Sequence, residues 1–414
     1  MGAASAVGLM GSLQQNGGGP DMLVVIGYPQ SGIQLFRDLY GQGQGDLDVL
    51  VPDGLQDSAL PQQVGNPMDN VTGTAPAAAG PNQQAFRQLY QDEYNSAPGV
   101  FTSQSYDSMA ILILANAAAG ENSGPAIKEQ MRRIANPGGQ DFGPQNFVDA
   151  VEAAANGDDI NYQGASSVTD FDENGDPASA AYDVWQFAPQ TDAGIEVVNT
   201  RRFESQAGGP SADDAPGGTG RTIRAGILLP ETGDLGSVGT PMIRASRIPV
   251  QQVNESDLDL QVETQVEDTQ TARQAALSGA NALVNAGFPA ISGPASSGNN
   301  IPVSSEVYIP NNVVGCSPSS TAITVSRLED DDFVFRTAPS DLLQGRVMAQ
   351  VAAERLGASS ASTLFVNNDY GQQLSNQFAE AFRQDHDGSI GDQVAFNIGE
   401  SSYTSVIQQA LGGG

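Results

Sequence analysis

An α/β protein with parallel sheets covered on both faces is predicted for this 414-residue chain by three observations. Strand-length apolar runs alternate with helix-length segments along most of the sequence, and that alternation calls for parallel strands joined by helical crossovers. Residues 205–220 (SQAGGPSADDAPGGTG) read as a flexible linker between two blocks that both carry the pattern. The length, with 39% hydrophobic residues, allows two or three ordinary domains with ample core.

Taken in order, residues 22–26 (MLVVI) read as a strand, 33–40 as a helix and 47–51 as a strand. The chain then turns helical at 82–94, 103–119, 125–135 and 144–155, and this block closes in short strands near 168–171, 181–187 and 194–198. Beyond the linker the alternation is regular: strand 222–229, helix 242–253, strand 260–266, helix 271–286 and strand 290–293. It continues with helix 342–356, strand 363–366, helix 372–383, strand 393–398 and helix 403–411. That last helix runs into Gly412-Gly413-Gly414 with no strand after it, while the strand at 22–26 follows Gly17-Gly18-Gly19-Pro20 with no helix before it. Each end supplies what the other lacks. The expectation is a circular permutation in which joining 414 to residue 20 restores an unbroken βαβ series.

Charge narrows the function classes. Seventeen Lys and Arg against 48 Asp and Glu give a formal net charge of −31, so no basic stripe exists to neutralise a phosphate backbone, and nucleic-acid binding is excluded. Lys128 is the one lysine; the other basic residues are arginine. An acidic, lysine-poor composition resembles that of proteins from extreme halophiles, and in dilute buffer those charges repel across a Debye length of about 10 Å or more. One cysteine, Cys316, excludes an intramolecular disulfide, and one histidine, His386, excludes a His-rich metal site. Residues 3–13 (AASAVGLMGSL) are too short and weakly apolar to span a bilayer. They resemble the end of a lipoprotein signal peptide in which Ser12 stands where the lipid-bearing cysteine belongs, so segment 1–19 is expected to be a signal remnant and Gly linker.

Parallel sheets place ligands beyond the carboxyl ends of their strands. Two loops there carry anion-binding chemistry, Gly293-Pro294-Ala295-Ser296-Ser297-Gly298 and Ser317-Pro318-Ser319-Ser320-Thr321, each offering hydroxyls and backbone N–H groups. Without a ligand, the same residues would serve as helix N-caps.

Read from 221 to 414 and then from 20 to 204, the chain resembles the type I solute-binding proteins of ABC importers, in particular the group that binds leucine, isoleucine and valine. The matching segments are IRAGILLPETGDLGSVG (223–239), VEDTQT (266–271), ISGPASSG (291–298), VGCSPSSTAIT (314–324), FVFRTAPSDLLQG (333–345), VNNDYG (366–371), VVIGY (24–28), VPDGL (51–55) and DFDENGD (170–176). The resemblance implies two doubly wound lobes joined by three crossings near 335–340, 75–80 and 164–168. One lobe comprises 78–166 and 221–336; the other comprises 20–77, 167–204 and 337–414. It also implies that Ser297 and Thr321 hold an amino-acid carboxylate and that the Ser319 carbonyl takes the ammonium. From the opposite lobe Asp53 pairs with the ammonium, and Tyr28 and Tyr370 close over the ligand. Val238 stands where some members carry an aromatic side chain, so the side-chain pocket is expected to differ.

Other motifs carry less. Asp170, Asp172, Asn174, Gly175 and Asp176 mimic a calcium loop but have Ala181 at its twelfth position, so a hairpin turn is expected. Residues 233–239 lack phosphate-loop spacing, and Asp234 would repel a phosphate. Residues 329–332 read as a solvated acidic face, His386 as a surface residue and Cys316 as a small core residue. No Ser–His–Asp grouping is credible, so no enzyme and no cofactor are expected. The resemblance implies a monomeric cell-surface protein that captures an amino acid for a membrane permease. An amide, urea or other polar solute, or a ligand-sensing receptor domain, remains an alternative.

Overall fold

The computed structural model describes residues 19–191 and 194–412. The lipoprotein-like segment with Ser12 and the final two glycines lie outside the described residues. Two parallel-rich sheets organise the chain. The larger has seven strands in the order Ser389–Phe396, Ser360–Val366, Met22–Ile26, Asp48–Val51, Val71–Pro76, Ser179–Ala188 and Gly194–Glu204. Its first five strands run parallel, and the last two add in antiparallel register. The smaller is a five-stranded parallel sheet in the order Val266–Asp268, Gly226–Leu229, Ala290–Ser292, Val314–Ser317 and Val334–Arg336. Each sheet is the centre of its own lobe, and the central strands Met22–Ile26 and Gly226–Leu229 are buried along their whole length, as strands covered by helices on both faces must be.

Strand Met22–Ile26 pairs with Ser360–Val366 from Met22 beside Ala361 to Ile26 beside Phe365. Asp21 fixes this meeting of distant segments by accepting from Ser359 N, Ser359 Oγ and Ser360 N at 2.9, 2.7 and 2.9 Å.

Several expected elements change at their edges. The strands at 222–229 and 260–266 each divide, into Arg221–Arg224 with Gly226–Leu229 and Leu260–Glu263 with Val266–Asp268, forming a two-strand extension beside the smaller sheet. The helix at 242–253 begins earlier, at Gly236. The helix at 342–356 is α-helical over Asp341–Gln350 and finishes in a π-turn over Val351–Arg355. No strand forms at 168–171; Phe171 makes an isolated bridge with Pro177 across a turn whose Asp172 accepts from Asn174 N and Asp176 N, so the calcium-like motif is a turn. Residues 171–173 remain attached to the smaller-sheet lobe by Asn136 and Arg132, and pairing into the larger sheet starts at Ser179, ten or so residues beyond the expected crossing.

Residues 205–220 are not the free linker that their composition suggests. Gly208 N, Ala212 N, Gly217 N and Gly218 N donate to the carbonyls of Phe171, Glu129, Ala118 and Ala155, so the segment is laid along one lobe. Backbone groups that find partners there no longer gain from sampling open conformations. The acidic run at 329–332 is likewise more than a solvated face. Asp331 pairs with Lys128 at 2.9 Å, Asp332 with Arg132 at 2.8 Å, and half-buried Asp330 accepts from Val334 N. The scarce cations are thus spent where this loop meets the fold.

The crossings between lobes are held by buried polar groups. Asp107, fully buried on helix Thr102–Ala119, accepts from Ala165 N, Ser166 N, Ser166 Oγ and Tyr162 OH at 2.5–2.9 Å, and burial pushes its carboxyl up to about 6 against those stabilising bonds. Ala79 N and Gly80 N donate to the carbonyls of Ser166 and Ala165, tying two crossings together. At the third, Thr337 Oγ1 donates to the Gln104 carbonyl at 2.8 Å.

Candidate functional site

Strand ends from both lobes face one another across a cleft. From the smaller sheet, Ala290–Ser292 runs into the loop before helix Ser297–Val303, and Val314–Ser317 runs into the loop that carries Ser319 and Thr321. Hydroxyls staple the two loops together. Ser317 Oγ donates to the Pro294 carbonyl at 2.6 Å, Ser319 Oγ donates to the Ala295 carbonyl at 3.1 Å, and Ser297 Oγ accepts from Ala322 N at 3.1 Å. The Ser297 hydroxyl keeps its own proton for a further acceptor.

Beneath this loop lies Arg336, fully buried. It grips Asp176 through Nε and Nη2 at 2.6 and 2.7 Å and donates to the carbonyls of Ser320 and Ala322 at 3.0 Å each. Holding the residues on either side of Thr321, it sets that residue's position. The sequence reading had the segment containing Arg336 but gave it no role; a buried arginine beside a Ser/Thr loop is the signal that was available.

From the larger sheet, Asp48–Val51 ends at Pro52, and Asp53 opens a single 3-10 turn. Asp53 is 3% exposed; its Oδ1 accepts from Gln344 Nε2 at 2.7 Å and its Oδ2 from Tyr370 OH at 3.3 Å. Burial pushes its carboxyl up to about 6, with the Gln344 bond as the main opposing influence. Gly54 is required beside it, because a Cβ there would lie 2.4 Å from the Gly27 carbonyl oxygen and 3.0 Å from Tyr370 OH. Tyr28 and Tyr370 stack with ring centroids 5.8 Å apart and planes within 10°, and Asn368 Nδ2 donates to Tyr28 OH at 2.9 Å.

Of the residues expected to form the site, Tyr28, Asp53, Val238, Ser297, Ser319 and Tyr370 line a single cavity between the lobes. Thr321 is not among its lining residues; it is buried behind the loop, and its Oγ1 has no hydrogen-bond partner among the described residues. The cavity wall also contains Ala295 and Ser296 of the expected anion-binding loop, and Phe101, Pro230, Leu235 and Met242, which sequence reasoning did not assign. Most are apolar positions indistinguishable from core until the lobes are apposed. Phe101 adds an aromatic ring to the cavity wall that also contains Val238.

Direct bonds join the lobes at the cleft rim. Asp234 accepts from Ser31 Oγ at 2.5 Å and Ser31 N at 3.3 Å, at the start of helix Pro29–Gly41. Thr324 N donates to Gln373 Oε1 at 3.0 Å while Gln373 Nε2 donates back to Thr324 Oγ1 at 2.8 Å. Asp234, read from the sequence only as hostile to phosphate, is therefore a contact across the cleft.

Residues 222–414 match the periplasmic binding protein family. The α/β architecture with its two sheets is the type I fold of that family. Among curated relatives, an uncharacterized protein of Methanocaldococcus jannaschii is 25% identical over 194 residues, 45% of this chain and 46% of the relative. The leucine-, isoleucine-, valine-, threonine- and alanine-binding protein of Pseudomonas aeruginosa is 23% identical over 190 residues, 45% of this chain and 50% of the relative. The chain thus spans about half the length of the curated relatives it matches. A solved leucine-binding protein of Thermotoga maritima is 24% identical with a TM-score of 0.42, covering 46% of this chain and 53% of that one. The branched-chain amino-acid transporter substrate-binding protein of Streptococcus pneumoniae, solved with isoleucine, is 24% identical with a TM-score of 0.39, covering 45% and 53%.

Away from the cleft, Cys316 is fully buried, and burial pushes its thiol up to about 12, far from a nucleophile's range. His386 is half-buried at the end of helix Asp369–His386. Among the described residues, no helix is long and apolar enough to cross a membrane and no cluster of three metal-ligating side chains occurs.

Proposed function

We propose that this chain captures a small amino acid with an aliphatic side chain between its lobes, outside the cell, and presents it as a monomer to an ABC-type membrane permease. One observation carries the reading: the cavity is polarised. A buried carboxylate, Asp53, stands on one wall, the hydroxyls and backbone N–H groups around Ser296, Ser297 and Ser319 stand on the other, and Phe101, Leu235, Val238 and Met242 supply an apolar interior. A zwitterion with an aliphatic side chain satisfies all three surfaces, and two desolvated charged ends make micromolar affinity, about −8 kcal/mol, attainable. Closure then follows from contacts that only the closed state makes to both ends.

The same reading treats the chain as a circular permutation of the family fold, with lobes 20–77, 167–204 and 337–414 against 78–166 and 221–336. The support is the position of Met22–Ile26, in the middle of the larger sheet beside Ser360–Val366, together with a family match that starts at residue 222. A signal-derived tether around Ser12 would place the protein at the cell surface.

Titration calorimetry in multimolar KCl tests the ligand class. L-leucine, L-isoleucine or L-valine should bind in the micromolar range, while leucinamide and 4-methylpentanoate, each missing one charged end, should bind at least a hundredfold more weakly. Equal binding of either truncated compound would refute the polarised-site reading.

A further inference from the structure

Behind Asp53 lies a second acid that the proposed function does not use. Asp341 opens helix Asp341–Gln350 at the third crossing; it is 0% exposed, and neither carboxylate oxygen has a hydrogen-bond partner among the described residues. Thr321 Oγ1 and Gln344 Oε1 are also fully buried and without partners. These atoms belong to one neighbourhood. Asp341 N donates to the Thr321 carbonyl at 2.8 Å, and Gln344, one turn along the same helix, donates to Asp53 at 2.7 Å.

The groups facing Asp341 compensate it only in part. Asp53 comes from the turn after Asp48–Val51, Tyr182 from strand Ser179–Ala188, and Tyr370 from helix Asp369–His386; none brings positive charge. The nearby cation, Arg336, is already engaged by both oxygens of Asp176. Gln344 thus links the helix turn that begins at Asp341 to Asp53, leaving two buried carboxylates in one neighbourhood with no free cation among the described residues, a situation that proteins resolve by retaining one proton on the pair. Burial first and the Asp53 charge second push the Asp341 carboxyl well above the usual range, against the Thr321 hydroxyl and the Arg336 charge, which favour its ionised form.

We propose that Asp341 is a second acid of the ligand site, that it and Asp53 hold one proton between them, and that an arriving ammonium group displaces this proton to solvent. This rests on the amino-acid reading above. At the acid end the exchange balances: the ammonium brings one positive charge and one proton leaves to solvent, while the ligand's carboxylate is met by the hydroxyls and N–H groups of the opposite wall. Asp341 is accordingly a positioning residue. It makes the site selective for a cation over a neutral isostere by supplying a second negative charge once the proton has gone.

Two measurements on the full chain in multimolar KCl decide the matter. In the ligand-free protein, the carboxyl carbons of 13C-labelled aspartate are followed against pH and assigned with Asp53→Asn and Asp341→Asn. One carboxyl of the pair should stay protonated above about pH 6 and should lose that behaviour when its partner is replaced. Two carboxyls both ionised by about pH 5 would overturn the shared proton. L-leucine is then titrated calorimetrically in buffers of different ionisation enthalpy. The wild type should release close to one proton per ligand near pH 6, and Asp341→Asn should release none. Leucine binding with no proton release, or with a requirement for sodium over potassium at equal ionic strength, overturns the displacement and points to a metal cation at Asp341. A normal carboxyl titration with no heat from leucine overturns the proposed ligand class and leaves the acid pair standing.

Discussion

Replacing Asp53 with asparagine should make the ligand-free protein more stable and the ligand weaker. The substitution is nearly isosteric: an asparagine Oδ1 still accepts from Gln344 Nε2, and its amide can meet Tyr370 OH. What it removes is a charge in a place where charge is costly. The Asp53 carboxyl is raised from its ordinary 3.8 to about 6, and each unit corresponds to about 1.4 kcal/mol, so ionised Asp53 costs the folded state up to about 3 kcal/mol above both values. The sign follows from the direction of the shift. A raised carboxyl favours the fold only while protonated, and that advantage fades as pH climbs through about 6. At about pH 8 the variant should therefore unfold later by a few degrees, with the gain vanishing near pH 4. Binding moves the other way, since an unpaired buried ammonium costs roughly 3–5 kcal/mol, a few hundred- to a few thousand-fold in Kd. Calorimetric melts at the two pH values, paired with L-leucine titration, read both effects. A variant that binds within threefold of the wild type, or that is no more stable at about pH 8, would refute the assignment of Asp53 as the buried partner of a cation.

Ser297→Ala should weaken L-leucine binding by about 1–3 kcal/mol, because Ser297 lines the cavity and its hydroxyl, which accepts from Ala322 N, still has a proton to donate; unchanged affinity in calorimetry would remove it from the site. Asp176→Ala leaves Arg336 buried and unpaired and should cost about 3–5 kcal/mol of stability, seen in denaturant melts; a loss below about 1 kcal/mol would show the pair to be dispensable. The net charge of −31 predicts a salt requirement: the circular-dichroism melt should shift upward between about 0.1 M and about 2 M KCl, and equal or greater stability at low salt would count against the halophilic reading.

The strand-and-helix order was legible because continuous apolar runs such as MLVVI at 22–26 have one economical solution, burial in a parallel sheet. The Ser296–Ser297 loop was also legible, since polar residues at the carboxyl ends of such strands face a cleft; Asp53 was reached only through the resemblance carried by VPDGL (51–55). Asp341, Gln344 and Arg336 were not. Each sits in a segment that reads locally as an ordinary helix start or strand end, and only the apposition of segments far apart in sequence takes them out of water together. The linker at 205–220 misled for a related reason: composition reports what a segment can do unaided, whereas its glycines let it approach Arg132 and the ends of two helices closely enough to be bound.

The meeting of Met22–Ile26 with Ser360–Val366 also bears on how the protein is made. Asp21 N donates to Ser360 Oγ across 339 positions of sequence. A ribosome delivers the first of these strands long before the second, so during most of synthesis strand Met22–Ile26 has an unpaired edge that only the late-arriving segment can cover. Such an edge is a template for pairing with the wrong chain. The smaller sheet, by contrast, is complete once Val334–Arg336 has emerged. The order of assembly is therefore imposed: the smaller-sheet lobe can close first, and the larger sheet waits for nearly the whole polypeptide, making its completion the slow and aggregation-exposed stage of folding.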